Sequence, residues 1–318
     1  MPLVPFATRA QQDGPMRRIG VLMPYADSDR EGQAFIAAFR EGLQKLGWTE
    51  GRNLRIDYRW AAPGDAKLRQ EYAKELVALQ PELVLTQGTP STTALMQQTS
   101  TIPIVFAQAI DPVGSGFVAS FPQPGGNVTG FISMEPTVAS KWLELLMEVA
   151  PKVNRVAILF NPITATYAEY FLNPFKAAAA HLSVEAIAAP VRDKSEFELA
   201  ISAQAGAPNG GLVVMPDTFM NTYRREITSL AARYGLPAVY PYRFFADVGG
   251  LLSYANDLLD NYRRVATYAD RILKGAKPRE LPLQAPVKFH LVINLKTAKT
   301  LGLIVPPTLL AAADELIE

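Results

Sequence analysis

The chain has 318 residues, of which 49% are hydrophobic and 19% charged, and its net charge of +1 is that of an ordinary globular protein. Lys, Arg, Asp and Glu are intermixed without a long basic block, so nothing marks a nucleic-acid surface or a polybasic membrane surface. The absence of cysteine excludes disulfides, a thiolate nucleophile and Cys-ligated metal sites, and no apolar run of about 18 residues is available to span a membrane.

Residues 1–16 carry neither helical nor strand periodicity. Within them, Phe6-Ala7-Thr8-Arg9-Ala10-Gln11-Gln12 places small residues before a cleavage point after Ala10. The stretch reads either as the remnant of a secretory signal lacking its charged and apolar parts, or as a plain disordered terminus. From Arg17 the pattern becomes strand, turn, helix. Arg18-Ile19-Gly20-Val21-Leu22-Met23, closed by Pro24, is a short apolar run of the kind buried on both faces in a parallel sheet. Ser28-Asp29-Arg30-Glu31 has capping-box spacing and predicts a helix whose Phe35, Phe39, Leu43 and Leu46 share one face until Gly47 ends it. A strand over 54–60, a helix over 65–79 and strands over 82–86 and 103–107 follow. After the turn-rich 122–127 stretch, Val138, Trp142, Leu145 and Val149 stripe another helix.

The same opening then recurs. Arg155-Val156-Ala157-Ile158-Leu159-Phe160, closed by Asn161-Pro162, begins a second alternating series. It comprises a helix over about 164–182, a strand at 184–189, a helix at 195–204, a strand at 211–215, a helix at 219–234 and a strand at 238–240. Such alternation predicts an α/β fold of two Rossmann-like, doubly wound lobes with a cleft between them. Beyond Gly249-Gly250 lie an amphipathic helix over 258–274, a Pro-rich connector and an apolar strand over 289–295. These need sheets to pack on, so the chain is expected to return to the first lobe and then to the second through three hinge crossovers. The first lobe would hold 17–130 plus about 255–284, the second about 131–254 plus 285–318.

Groups suited to catalysis are scarce. The only histidines are His181, predicted at a helix terminus, and His290, predicted to point outward from a strand. No P-loop occurs. Gly114-Ser115-Gly116-Phe117-Val118-Ala119 matches the loose dinucleotide fingerprint, but it lies beyond its strand and reads as a turn opening a short helix. No cofactor or metal is expected. The candidates are instead the loops at the carboxyl ends of strands, where open α/β sheets bind ligands. In the first lobe these offer Tyr25, Gln87, Gly88, Thr89, Ser91 and Gln108. Thr89 would cap a helix whose first residue is Pro90, leaving free N–H groups and hydroxyls for a carboxylate; the alternative is that Thr89 and Ser91 merely start that helix. The second lobe offers Asp217, which needs a cation such as a ligand ammonium to offset its desolvation, or else simply caps the following helix. Phe219, Tyr240 and Tyr242 supply aromatic surface near it, with Asn161 and Tyr167 as further candidates.

The stretch Gly42-Leu43-Gln44-Lys45-Leu46-Gly47-Trp48-Thr49-Glu50-Gly51-Arg52-Asn53-Leu54, followed by Asp57-Tyr58-Arg59-Trp60-Ala61, resembles the ABC-transporter substrate-binding proteins of the tryptophan/tyrosine-type uptake family. Pro103-Ile104-Val105-Phe106, Asp111-Pro112-Val113-Gly114, Pro124-Gly125-Gly126-Asn127-Val128-Thr129-Gly130 and Asn294-Leu295-Lys296-Thr297-Ala298-Lys299 are similar to its recurring segments, in order, across residues 17 to 318. The resemblance implies a type I periplasmic-binding-protein fold, export to the periplasm, and a non-enzymatic monomer that closes on a small molecule and presents it to a permease and its ATPase. It does not carry a particular ligand with it. A cleft enzyme, such as a carboxylate-based isomerase or hydrolase, and a stand-alone ligand-sensing domain are the other readings of the same architecture.

Overall fold

The computed structural model describes residues 16–62 and 64–318; the signal-remnant reading of the N-terminus lies outside them, apart from Met16. The first lobe starts with β1 (Arg17–Met23), α1 (Arg30–Lys45), β2 (Leu54–Trp60), α2 (Ala66–Ala78), β3 (Leu83–Gln87), α3 (Thr89–Met96), β4 (Ile104–Ala109) and β5 (Val128–Ile132). The five strands form a parallel sheet in the order β2-β1-β3-β4-β5. The strand order reverses at β1, so the loops at its carboxyl end part to either side and leave a crevice. α1 opens at Asp29, whose carboxylate accepts from the N–H groups of Glu31 and Gly32. Ser28, the residue expected to cap it, is one position too early.

The chain then leaves for the second lobe with α4 (Val138–Val149), β6 (Arg155–Phe160), α5 (Ala168–His181), β7 (Glu185–Pro190), α6 (Glu196–Ala205), β8 (Gly210–Val214), α7 (Thr218–Thr222), α8 (Arg224–Arg233), β9 (Ala238–Tyr240), α9 (Arg243–Asp247) and β10 (Leu252–Asn256). At β10 it crosses back. α10 (Leu258–Leu273) packs along α1, with Tyr262 stacked on Phe35 at 4.9 Å and Asp270 accepting from the Trp48 indole at 2.8 Å. A bridge from Gln284 to Phe131 closes this return, and the chain re-enters the second lobe through β11 (Phe289–Asn294), α11 (Leu295–Thr300), α12 (Pro307–Ala312) and β12 (Glu315–Ile317). The second sheet runs β12-β11-β10-β9-β8-β6-β7, with β11 antiparallel to β10 and every other pair parallel. The chain thus passes between sheets three times, after β5, after β10 and before β11.

Several local expectations are corrected. The helix expected over 219–234 is two helices that meet at Tyr223, because Asp217 starts a single turn, α7, at the cleft and α8 starts afresh behind it. The helix expected from 164 begins at Ala168, since the preceding residues fold around Asn161 and Thr164. Gly114 to Ala119 forms turns without a helix: Asp111 accepts from the Gly114 N–H and Gly116 holds φ at +71°. The short elements β5, α9, α11, α12 and β12 carry too little periodicity to be read from the sequence.

Candidate functional site

The carboxyl ends of β3 and β4 meet the loop after β8 across a narrow pocket of about 10 Å³, room for a single water as the lobes stand. On the first-lobe side, β3 ends in Gln87 and Gly88 caps α3 with φ +75° and ψ 161°, a conformation essentially confined to glycine. A side chain at Gly88 would also come within 3.2 Å of Thr218 Cγ2 on the other lobe. Glycine therefore permits both the bend and the close approach. With Gly88 as the cap, Thr89 is the first helical residue, so the expected Thr89 cap does not form. Its hydroxyl, like that of Ser91, is buried without a hydrogen-bond partner. The helix thus presents its N-terminal dipole and at least one unspent hydroxyl toward the pocket.

Gln108 reaches the pocket by a different device. It sits at a register shift in β4, with φ at +62°, and this bulge turns its side chain out of the strand alternation. The Gln87 amide fixes which end of Gln108 is free. Gln87 Oε1 accepts from the Tyr262 hydroxyl, and Nε2 donates to Tyr25 Oη at 2.9 Å and to Gln108 Oε1 at 3.1 Å. Gln108 Nε2 remains as a buried donor without a partner.

The second lobe supplies acceptors. Asp217 is buried and caps α7, so the capping role and a place in the pocket lining coexist. Its Oδ1 accepts from Phe219 N at 2.8 Å and Thr164 Oγ1 at 2.5 Å, and its Oδ2 from Asn161 N at 3.0 Å, which leaves Oδ2 one open lone-pair direction. Burial pushes its carboxyl up to about 6 although all three donors pull the other way. One turn along, Asn221 Oδ1 is a second buried acceptor without a partner. Donors on one wall and acceptors on the other suit a zwitterion.

Of the residues singled out in the sequence, Gln87, Gly88, Thr89, Gln108, Tyr167, Asp217 and Tyr242 line this pocket. The others are not among its lining. Tyr25 holds the Gln87 amide, and Ser91 lies further along α3. Asn161 is spent on its surroundings: Nδ2 donates to Arg192 O, while Oδ1 accepts from Ile163 N and Thr164 N. Phe219 packs on Phe197 and Tyr223 at 5.7 and 4.8 Å, and Tyr240 stacks on Phe245 at 5.1 Å, so both are core aromatics. The Tyr167 hydroxyl donates to Pro216 O at 2.6 Å. Thr164, Thr218 and Asn221 went unnoticed, although Asn221 stands four residues after Asp217, the spacing that shares a helical face. His181 ends α5 as expected and is exposed, but His290 does not face outward: its Nε2 is buried without a partner. Among the described residues no cluster of His, Cys, Asp and Glu could hold a metal ion.

The two lobes are also tied directly. Asp29 caps α1 with Oδ1 and offers Oδ2 to both terminal nitrogens of Arg224 at 3.3 Å, across the cleft. Arg224 is itself held by Asn221 O at 2.8 Å and lies over the Phe244 ring.

Comparison with known proteins bears on this arrangement. Residues 29–317 match the family model described as ABC transporter substrate binding protein. A protein from Clostridioides difficile called Tyrosine-binding protein is 25% identical over 292 residues, covering 90% of this chain and 81% of its own. A conserved domain protein from Vibrio cholerae superposes with a TM-score of 0.88 at 26% identity over 95% of this chain and 99% of its own. A domain from Streptococcus pneumoniae solved with L-Trp superposes with a TM-score of 0.87 at 25% identity, over 95% of this chain and 100% of its own.

Proposed function

Because the chain belongs to the ABC transporter substrate binding protein family, we propose that it captures an amino acid or a related zwitterion in the interlobe pocket and hands it to a membrane permease driven by an ATPase. The observation that carries this reading is the division of labour across the pocket. The first lobe contributes the α3 terminus, the Thr89 hydroxyl and Gln108 Nε2 for a carboxylate; the second contributes Asp217 Oδ2 and Asn221 Oδ1 for an ammonium. Neither lobe alone satisfies both ends of such a guest, so the lobes must part to admit it, the pocket as they stand having room for only about 10 Å³, and then draw together on it. The tyrosine-binding relative and the L-Trp complex support an amino acid as the class of guest. Delivery to a permease implies that the protein works outside the cytoplasmic membrane, in the periplasm, as an exported protein; family membership supports that reading.

The test is a calorimetric titration of the purified protein with the common amino acids and with their decarboxylated and deaminated analogues. Binding should require both charged ends. Thr89→Ala should weaken it by about tenfold or more, the loss of one hydrogen bond to a charged group. Tight binding of a neutral analogue in place of every amino acid would refute the reading.

A further inference from the structure

Tyr242 also lines a larger interlobe cavity, of about 350 Å³, that shares no other residue with the pocket described above. Its first-lobe wall comes from α1 and the start of α10, its second-lobe wall from α9, β10, β11 and β12. Asn256, at the end of β10, is only 6% exposed and leaves both Nδ2 and Oδ1 without a hydrogen-bond partner, and the buried Nε2 of neighbouring His290 is likewise unspent. A buried amide with donor and acceptor both idle is costly unless a guest occupies them.

The charges around it do not balance. Arg243 is fully engaged, meeting Asp247 at 2.6 Å and Glu315 at 2.7 Å, and Asp257 caps α10 by accepting from Asp260 N. That leaves Glu31. Its half-buried carboxylate, in the first turn of α1, makes no ion pair or side-chain hydrogen bond among the described residues. Burial raises its carboxyl above the usual range; Arg224 and Arg243 pull it down through space, while Asp247 and Asp29 push it further up. Phe35, Phe244, Leu258 and Val292 make the remaining wall apolar, which fits an organic body better than a hydrated metal ion.

We propose that this cavity is a second ligand site for a small organic cation, an amine or guanidinium compound whose charged end pairs with Glu31 and whose other polar group hydrogen-bonds Asn256. The site stands apart from the amino-acid pocket and does not depend on the reading given to it.

Agmatine and putrescine serve as probes, with 1,4-butanediol as the uncharged control, in calorimetry and thermal-shift measurements on the full chain. Both cations should bind and raise the melting temperature, and butanediol should do neither. Glu31→Gln, isosteric at a half-exposed position, should weaken cation binding about tenfold or more while leaving amino-acid titrations in place, so the two sites are read separately. Asn256→Ala should also weaken it. Failure of either cation to bind, equal binding of butanediol, or binding unchanged in both variants would overturn the proposal.

Discussion

Asp217 shows how one side chain can serve folding and binding in opposite senses of pH. Its carboxyl stands near 6 in the closed structure against an ordinary value of 3.8, because burial outweighs three donors. The folded chain therefore holds more protons here than the unfolded chain between those values. Stability from this group is full at low pH and declines as pH rises toward about 6. Capture of an ammonium runs the other way, since it needs the charged carboxylate. Amino-acid affinity should accordingly tighten as pH rises through about 6, and Asp217→Asn should both weaken binding by about tenfold or more and flatten that dependence. Titrations from about pH 5 to about 7.5 on the two proteins check it; an identical slope in the variant would assign the titration to another group.

At the level of elements, the site depends on a helix that lies far along the chain from the strands it supports. α10 brings Tyr262 to Gln87, and Gln87 in turn orients Gln108, so the donor end in the pocket is set three residues deep. The α1–α10 contact that allows this is close at Gly42, where a Cβ would lie 2.7 Å from both Arg263 O and Ala266 Cβ. Gly42→Ala gains up to about 1 kcal/mol in helix propensity. Against that, overpacking a backbone contact costs about 1–3 kcal/mol, and the second effect should win. Urea denaturation should show a net loss of stability, with weaker amino-acid binding because Tyr262 moves with the helix. A Gly42→Ala protein of higher stability would show that the two helices part without cost.

For the molecule as a whole, closure is the functional coordinate, and Asp29–Arg224 is a tie that crosses the cleft outside both cavities' linings. Both side chains are mostly buried, at 18% and 13% exposure, so the pair is screened less than a surface bridge and contributes on the order of 1 kcal/mol to the closed form. Arg224→Ala, which leaves the Asp29 cap of α1 intact, should shift the free protein toward open shapes and weaken ligand binding by about fivefold. Small-angle scattering with and without amino acid reads the first effect and calorimetry the second. Unchanged affinity with an unchanged scattering profile would reduce the bridge to a bystander.

The apolar runs at Arg17–Met23 and Arg155–Phe160, and the strict alternation after each, were legible in the sequence because a strand buried on both faces must be continuously apolar. Family segments spread along the chain were legible for the same reason that turns are: Gly, Pro and Asn at fixed positions reflect local backbone demands. The loops at strand ends were likewise visible as candidates. What local pattern could not decide was which side chains in those loops face the cleft. Phe219 and Tyr240 turn into the core while Thr218, Asn221 and Thr164 border the pocket, and Gln108 enters only through a bulge that no periodicity announces. Asn256, His290 and Glu31 come together only because the chain crosses between lobes three times, and such long-range placement follows from how whole helices and sheets pack. The sequence by itself determined two α/β lobes and where their loops fall; the tertiary structure decided which atoms those loops leave unspent, because partners distant in the chain are what satisfy or orphan a buried polar group.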